Sequence, residues 1–393
     1  MAGNSFPDGF RWGTATAAHQ IEGGNTNNDW WRWEHTSGSG VAEPSGDACD
    51  SWHRWNEDGD IVAGLGLDHY RFSLEWSRIE PARGEWSVAA LDHYRRVCDY
   101  LRERDVEPIV TFHHFTTPAW LADDGGWEKE GIVDRFAEFC HRSAAALGQS
   151  IGRACTLNEP NVVATMGYVM GMFPPGRNDP DAARDVTANM VAAHRTAVEA
   201  IRSEAPSVPV GLTLSMTDYQ PAEGGEEKTA NIRAAHEDVF LQAIAGDDFL
   251  GVQTYTRMLI GPNGWVGPEP GVEVLPMGYE LWPQALAACL RRAWAVTGGE
   301  VPLWVTENGI GTDDDQQRID FVAAALRGVL DVIDEGVRVD GYTYWSLLDN
   351  FEWAFGYRPH FGLVAVDRTT FERRPKPSAR WFSEVARNNR LPA

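Results

Sequence analysis

Eight short β-rich runs alternate with longer amphipathic stretches from one end of the 393-residue chain to the other. The runs cover residues 10–17, 70–76, 108–114, 154–159, 209–215, 249–255, 303–307 and 341–347. Helical periodicity predicts helices at 88–104, 132–147, 182–205, 230–245, 282–296 and 316–335. A helix between successive strands indicates an α/β protein with a parallel sheet. Eight such repeats favour a closed (β/α)8 TIM barrel over an open doubly wound sheet.

No linker rich in glycine, serine or proline interrupts this series. The runs at 70–76, 108–114 and 303–307 are almost continuously apolar and turn polar only at their last residues. This pattern is typical of strands that are covered on both faces. We therefore expect a single (β/α)8 catalytic domain over residues 1–393, with the irregular stretches 23–49 and 260–278 as loops over a site.

The chain carries 34 Lys and Arg against 57 Asp and Glu, which gives a formal net charge of −23 at pH 7. Because phosphate-neutralising contacts have no obvious source in such a chain, binding to nucleic acid or to an anionic membrane is disfavoured. The five cysteines form no C-x-x-C pair, and the histidines form no H-E-x-x-H motif. We expect free buried thiols, no metal site and no cofactor.

The first residues, MAGNSFPDGFRWG, contain neither the basic segment nor the apolar core of a signal peptide. No apolar run reaches the roughly 20 residues that a membrane helix needs. We therefore expect a cytoplasmic protein, and the sequence leaves its oligomeric state open.

Polar and aromatic side chains gather where the predicted strands end. They are His19 and Gln20, Arg71, His113 and His114, Asn158 and Glu159, Tyr255, Glu307 and Asn308, and Trp345. In a (β/α)8 barrel these strand ends surround one mouth, where the active sites of such enzymes lie. His113 and His114 alternate across a strand, so only one of the two can face that mouth.

Glu159 and Glu307 form the pair at this mouth that has an evident chemical use. A glycosidic bond breaks through an oxocarbenium-like state, in which one carboxyl protonates the leaving oxygen and another attacks or stabilises the anomeric carbon. Strands four and seven lie roughly across a barrel mouth, so the two side chains can face one substrate from opposite sides. Their separation, which distinguishes retaining from inverting hydrolysis, stays open from the residues alone.

A series of motifs follows one another along most of the chain. They are FPDGFRWGTATAAHQIEG, YRFSLEWSRIEP, TFHH, TLNEP, DFLGVQTYTR, VTENG and WSLLDNFEWAFGYRPHFGLVAVD over residues 6–367, with RRPKPSARWF after them. In type and order these motifs resemble glycoside hydrolase family 1, the β-glucosidase family. The combination of TLNEP and TENG is the specific part, since a lone N-E-P would be a weak signal.

The resemblance implies a retaining β-glycosidase that hydrolyses terminal β-D-glucosides, and also β-galactosides or β-fucosides, through a covalent glycosyl-enzyme. Glu159 would be the acid/base and Glu307 the nucleophile, supported by Arg71, Asn158 and Tyr255. A guanidinium beside Glu307 would lower the pKa of that carboxyl, whereas Glu159 must keep its proton near neutral pH.

For sugar binding the resemblance points to Gln20, His114, Trp345, Glu352 and Trp353. Polar side chains fix the directions of hydroxyl groups, and indole faces pack on the apolar face of a sugar ring. Relatives that act on 6-phosphorylated sugars carry smaller or basic residues near Glu352. A carboxylate there implies an unphosphorylated sugar, because it would repel a phosphate group.

Four positions depart from the family pattern. Gln253 and Thr254 occupy the usual Asn-Tyr, Phe115 replaces a common Trp, and His360 stands where many members have Arg. We expect these changes to alter the shape of the pocket more than the catalytic groups.

Two other hypotheses stay open from the sequence. One is a catalytically silent sugar-binding barrel, which the presence of both Glu159 and Glu307 disfavours. The other is an inverting hydrolase. In each case the expected partner is a small glycoside or a short oligosaccharide.

Overall fold

The computed structural model describes residues 3–392, in which eight parallel strands close into a barrel. We number these strands β1 to β8 in chain order. Their bounds are Arg11–Ala15, His69–Ser73, Glu107–His113, Arg153–Asn158, Val210–Ser215, Phe249–Gln253, Leu303–Asn308 and Val339–Trp345. Strand β1 closes the barrel against β8, with Arg11 opposite Gly341. The predicted (β/α)8 barrel is confirmed.

A helix follows each barrel strand and covers the outside of the barrel. The eight helices are Ser51–Leu65, Val88–Arg102, Ile132–Leu147, Pro180–Glu204, Glu226–Arg233, Ala285–Val296, Asp315–Asp334 and Pro377–Asn388. Helix Val88–Arg102 begins where the Ser87 side chain accepts a hydrogen bond from the Ala90 amide. The first seven of these helices return the chain to the same end of the barrel, so all eight strands run in one direction.

The helix predicted over residues 230–245 is wrong in its bounds. Helix Glu226–Arg233 starts earlier, continues as the π-helical turn Ala234–Asp238 and finishes with Val239–Leu241. Its first turn carries Glu226 and Glu227, which are favourable at the positive end of a helix but add nothing to an apolar pattern. Hydrophobic periodicity therefore places its start too late.

Shorter elements lie mostly in the loops that follow the strands. They are the helical segments Ala18–Ile21, Asp29–Glu34, Trp76–Ile79, Ala119–Asp123, Gly126–Glu128, Gly148–Ser150, Pro160–Ala164, Thr165–Val169 and Trp353–Phe355. Two small sheets join Asp218–Pro221 with Arg257–Gly261 and Gly264–Trp265, and Val364–Val366 with Arg373–Pro375. Over residues 3–392, no helix has both the length and the apolar character to span a bilayer.

The barrel interior is filled with side chains, and one glycine makes this filling possible. A Cβ atom added at Gly251 on β6 would lie 2.6 Å from Thr213 Cγ2 and from Thr306 Oγ1. Both threonines face the interior from the neighbouring strands β5 and β7, so only a residue without a side chain fits between them. The space beside Gly251 is filled by the side chains of Thr213 and Thr306.

Candidate active site

Arg71 on β2 is fully buried and crosses the barrel to reach several other strands. Its Nη1 donates to Glu307 Oε1 at 2.5 Å, and its Nη2 donates to Asn158 Oδ1 at 2.5 Å. Its Nε donates to Thr111 Oγ1 at 3.0 Å, and Nη2 also lies 3.3 Å from Thr213 Oγ1. Because each end of the guanidinium is bonded, Arg71 is a fixed positive charge that connects β2, β3, β4, β5 and β7.

Glu307 is at the end of β7 and is held through both carboxyl oxygens. Besides the contact of Oε1 with Arg71, the hydroxyl of Tyr255 donates to Oε2 at 2.6 Å. Burial and the neighbouring charge of Glu307 raise the pKa of Tyr255 well above its usual value, so this phenol remains a donor. Two donors in fixed positions orient the carboxylate and stabilise its negative charge.

Glu159 lies just beyond the end of β4, where the backbone adopts a left-handed conformation with φ 45° and ψ 56°. A residue other than glycine is uncommon there, and such strain occurs often at functional sites. Glu159 precedes helix Pro160–Ala164 without capping it through its side chain. Glu159 as a whole is 8% exposed.

The two carboxyls differ in the groups that act on their protons. Burial, followed by the negative charge of Glu307, raises the pKa of Glu159 well above its ordinary value, and the charge of Arg71 opposes the rise only in part. Burial also raises the pKa of Glu307, but the charge of Arg71 and hydrogen bonds from Tyr255 and Arg71 work against it. The charge of Arg71 does lower the pKa of Glu307, as expected from the sequence. The effect of burial is larger, however, so the pKa of Glu307 is raised overall. The groups that favour the ionised form therefore act more strongly on Glu307 than on Glu159, and the pKa of Glu159 is the one raised well above its usual value.

Gln20 and Glu352 meet at another part of the same region. The Gln20 carboxamide donates to the backbone oxygen of Phe351 at 2.8 Å and approaches Glu352 Oε2 at 3.3 Å. Burial, and then the charge of Glu307, raise the pKa of Glu352 to about 8 against hydrogen bonds from Trp345 and Gln20. Glu352 is thus mainly a neutral carboxylic acid at pH 7, able to donate as well as to accept.

Aromatic rings form one wall of the region. The His114 ring is parallel to Trp345 at 5.8 Å and to Trp353 at 6.1 Å between centroids. Phe115 and Phe173 pack on Trp353 at 5.0 and 6.3 Å. His114 Nε2 lies 3.2 Å from Asn158 Nδ2, which ties this wall to the group that Arg71 holds.

Of the two adjacent histidines, His114 is the one that joins the site. The ring of His113 packs edge-on against Trp127 and Phe136 at 5.0 and 6.2 Å. Burial, and then the charge of Arg71, lower the pKa of His114 well below its usual value, so His114 is a neutral ring near pH 7. The alternation along the strand separates the two side chains as expected.

The four departures from the family pattern fall in different places. Gln253 is fully buried and pairs in register with Glu307, and the Thr254 amide donates to the Glu307 carbonyl at 3.2 Å. Phe115, with φ 68°, is part of the aromatic wall. The His360 side chain is not part of this buried site. It is 44% exposed, and its Nδ1 lies 2.6 Å from Asp313 Oδ1.

The sequence analysis did not identify the residues that form hydrogen bonds to the predicted site residues Arg71 and Glu159 or that pack beside them. Thr111 and Thr213 bond Arg71 from inside the barrel, and a hydrogen bond from Ser215 acts on the proton of Glu159. Phe173 completes the aromatic wall. The threonines and Ser215 have inward positions at or near strand ends, so strand alternation could have found them, whereas no local pattern identifies Phe173.

This geometry can be compared with known proteins. The family model described as "Glycosyl hydrolase family 1" matches residues 2–261 and 266–391. The chain belongs to glycosyl hydrolase family 1. Membership of this family accounts for the order of the motifs along the chain.

Curated members of family 1 match the chain over almost its full length. "Beta-glucosidase A" of Thermotoga maritima is 34% identical over 98% of both chains. "Thermostable beta-glucosidase B" of Thermobispora bispora is 35% identical over 98% of this chain and 92% of its own. These relatives are named as β-glucosidases.

Solved structures of family 1 have the same architecture. The crystal structure of "beta-glycosidase BGL167" superposes with a TM-score of 0.92 at 47% identity, covering 99% of this chain and 98% of that one. The β-glucosidase of Thermotoga maritima in complex with noeuromycin superposes with a TM-score of 0.92 at 32% identity, covering 99% and 100%. The fold and the family are therefore shown by independent comparisons.

Proposed function

We propose that the protein is a retaining β-glycosidase that hydrolyses terminal, non-reducing β-D-glucosides. The observation that carries the proposal is the pair of buried carboxyls, of which Glu307 accepts hydrogen bonds from Arg71 and Tyr255, whereas burial and the charge of Glu307 raise the pKa of Glu159 well above its usual value. Retaining glycosidases need one carboxylate and one carboxylic acid in this relation. Relatives named β-glucosidases over nearly the whole chain support the same activity and do not favour a silent sugar-binding barrel.

In the first step of the proposed reaction, a Glu307 oxygen attacks the anomeric carbon and forms a glycosyl ester. The bond between that carbon and the leaving oxygen breaks, and Glu159 gives its proton to the leaving oxygen. In the second step, Glu159 takes a proton from water, the water oxygen bonds to the anomeric carbon, and the ester bond to Glu307 breaks. Two inversions give net retention.

Arg71, Asn158 and Tyr255 support these steps without changing covalently. Arg71 and Tyr255 keep Glu307 oriented towards the sugar, and their donors compensate for its buried charge. Asn158 presents its amide beside His114, where it can bind a sugar hydroxyl next to the anomeric carbon.

The sugar itself is assigned to the region around Glu352. The residues proposed to bind it are Gln20, His114, Trp345, Glu352 and Trp353. The Oε1 atom of Gln20 and the Nδ1 atom of His114 are buried and lack hydrogen-bond partners within residues 3–392, which leaves them for sugar hydroxyls. The parallel His114, Trp345 and Trp353 rings offer flat apolar faces.

We infer that the sugar carries no phosphate. With a pKa of about 8, Glu352 is mainly neutral at pH 7, so it does not repel a phosphate as a full carboxylate would, but neither Glu352 nor Glu307, whose charge acts on it, offers a phosphate dianion a positive charge. One hydroxyl direction separates glucose from galactose and fucose, and β-galactosides and β-fucosides are therefore included as substrates.

We also propose that residues 1–393 act as one domain in the cytoplasm. One closed barrel accounts for all eight strand–helix repeats between residues 3 and 392. All five cysteines are buried and unpaired, as is common in reducing compartments.

A panel of p-nitrophenyl β-glycosides tests the activity, and proton NMR of the first-formed free sugar tests its stereochemistry. We expect turnover of the glucoside, with the β-anomer appearing before mutarotation. An initial α-anomer would establish inversion, and absence of turnover with every sugar despite measurable binding would establish the silent barrel. Higher turnover of 6-phospho-glucosides than of free glucosides would overturn the assignment of Glu352.

A further inference from the structure

An open pocket of about 440 Å³ lies outside the barrel, where the 15-residue helix Val88–Arg102 begins. None of its lining residues is among those assigned to the candidate active site. The residues between 3 and 392 that line it include two arginines and no Asp or Glu, although the chain as a whole has a net charge of −23. We call it the Arg78–Arg96 pocket, and its lining includes Trp52, Arg78, Ser87, Ala89, His93 and Arg96.

The start of the helix leaves a backbone donor free at the wall of the pocket. The Ser87 side chain accepts a hydrogen bond from the Ala90 amide at 3.1 Å. The Ala89 amide has no acceptor within residues 3–392, and the first turn of the helix contains no acidic side chain. Because the helix dipole places partial positive charge at this end, a free N–H group here attracts an anion.

The ring of His93 is a second and independent sign of a ligand. His93 lies four residues beyond Ala89, on the same face of the helix, and is 7% exposed. Its ring stacks on Trp52 with centroids 3.8 Å apart and lines the pocket. Neither ring nitrogen has a hydrogen-bond partner in the part of the chain that the structure describes. Buried polar groups normally have such partners, so an unpartnered ring at the wall of a pocket indicates a ligand that supplies one.

Two guanidinium groups bring further donors to the pocket. Arg78 Nε donates to Glu22 Oε2 at 2.9 Å and Nη2 donates to the Gly23 carbonyl at 2.5 Å, which leaves Nη1 free of protein acceptors within residues 3–392. Arg96 is a half-exposed side chain whose Nε lies 3.2 Å from Asp92 Oδ2. Hydrogen bonds from a guanidinium to an anion are charge-assisted and therefore strong.

The charges around His93 make the pocket positive. Burial, and then the charges of Arg96 and Arg78, lower the pKa of His93 to about 4. The charge of His53 acts in the same direction, and the opposite effect of Asp92 is the smallest of these. His93 is therefore a neutral imidazole near pH 7, with one N–H group to donate. An anion that enters the pocket meets net positive charge.

We propose that the Arg78–Arg96 pocket binds a phosphate group, either as free phosphate or as the end of a small phosphate monoester. Its donors come from two elements, the helix Val88–Arg102 and the segment Trp76–Ile79. A tetrahedral phosphate offers more oxygen acceptors to such a set than a carboxylate does. The volume of about 440 Å³ is typical of pockets for small molecules and leaves room for the rest of an ester.

Isothermal titration calorimetry of the whole protein tests this inference, with inorganic phosphate and glycerol 3-phosphate as ligands at constant ionic strength. We expect binding of both. The variant Arg96→Gln removes one charged donor from a half-exposed side chain, so both ligands should bind roughly 10-fold more weakly. Tighter binding of glycerol 3-phosphate than of phosphate would identify a monoester as the ligand, and equal or weaker binding would identify free phosphate.

Two further variants separate this pocket from general effects of charge. Arg95→Gln removes the same charge from the neighbouring position, where Arg95 pairs with Asp92 and Asp99 and does not line the pocket, and it should leave both affinities unchanged. His93→Phe keeps a ring beside Trp52 but removes both ring nitrogens, and it should weaken binding. Because the inference does not depend on the proposed function, turnover of p-nitrophenyl glucoside should be the same in all three variants.

Three results would overturn the inference. One is the absence of binding of either ligand at millimolar concentration. Another is an equal loss of affinity in Arg95→Gln and Arg96→Gln, which would show attraction to the overall charge of the helix. The third is an unchanged affinity in both Arg96→Gln and His93→Phe, which would place the bound phosphate elsewhere. If Arg96→Gln fails to fold, His93→Phe and Arg95→Gln decide the question by the same comparison.

Discussion

The hydroxyl of Tyr255 is the smallest group whose removal tests the electrostatic design of the site. It donates to Glu307 Oε2 at 2.6 Å, and Arg71 binds the other oxygen of the same carboxylate at 2.5 Å. The variant Tyr255→Phe deletes one oxygen atom and leaves the ring and Arg71 in place. Any change in catalysis then reports on the missing hydrogen bond.

The magnitude follows from the charge of the acceptor. A hydrogen bond to a charged group contributes about 1.5–3 kcal/mol, and each 1.36 kcal/mol is a factor of ten. If the bond is needed in full at the transition state, kcat/KM should fall roughly 10- to 150-fold. The Tyr255 hydrogen bond lowers the pKa of Glu307, so its loss raises that pKa further. Since the nucleophile acts as an anion, the acidic limb of the pH profile should move to higher pH.

The assay is kcat/KM for p-nitrophenyl β-D-glucoside as a function of pH in wild type and variant. Tyr279→Phe is a matched control, because among residues 3–392 the Tyr279 hydroxyl donates to the Met277 sulfur, at 3.7 Å, and not to Glu307. The control should leave the acidic limb in place. An unchanged acidic limb in Tyr255→Phe, or an equal displacement in the control, would show that Tyr255 does not stabilise the charge of Glu307.

Three further variants test the remaining roles. Glu307→Gly should abolish hydrolysis, and azide or formate should restore turnover of activated aryl glucosides; failure of both anions to do so in a folded variant argues against a nucleophilic role. Glu159→Ala should slow alkyl glucosides by about 10²–10⁴-fold and slow 2,4-dinitrophenyl glucoside far less, because that leaving group needs no proton; equal losses would contradict the acid role. Glu352→Gln should raise the melting temperature more at pH 8 than at pH 5. The Glu352 carboxyl keeps its proton up to a pKa of about 8 in the folded wild type but releases it near 4.5 in the unfolded chain, so the stability of the wild type falls between these two pH values. A melting-temperature difference between variant and wild type that does not vary with pH would refute this raised pKa.

Most of the fold could be predicted because a parallel barrel repeats one pattern eight times. The run at 108–114 is observed as Glu107–His113, and helix Ile132–Leu147 has the predicted bounds. Strands buried on both faces must be apolar, and the helices that cover them must be amphipathic, so local sequence carries the information. The start of the helix at Glu226 was not predicted, because its first turn is polar and gives no apolar periodicity.

The sequence predicts which residues gather at the candidate site, but not which atoms they contact. The ends of parallel strands meet at one mouth, so Asn158 and Glu307 are brought together by topology alone. The contacts of Arg71 are different, because they join residues as far apart in sequence as 235 positions at Thr306 and 236 at Glu307. No periodicity relates such positions. The left-handed backbone of Glu159 also depends on the surrounding structure rather than on its own preference.

The pKa values of Glu159 and Glu307 differ because the guanidinium of Arg71 forms a hydrogen bond with only one of these two carboxyls. Arg71 bonds Asn158, the last residue of β4, and Glu307 on β7, but not Glu159, which is one residue beyond Asn158. In a strand, a shift by one residue turns a side chain to the other face. The left-handed backbone at Glu159 follows the last residue of the strand, and the hydrogen bonds of Arg71 described above go to Asn158 and Glu307. A single buried cation therefore stabilises the ionised form of Glu307 through a hydrogen bond and that of Glu159 only through its charge at a distance, and this asymmetry suits Glu307 to act as an anion and Glu159 as an acid.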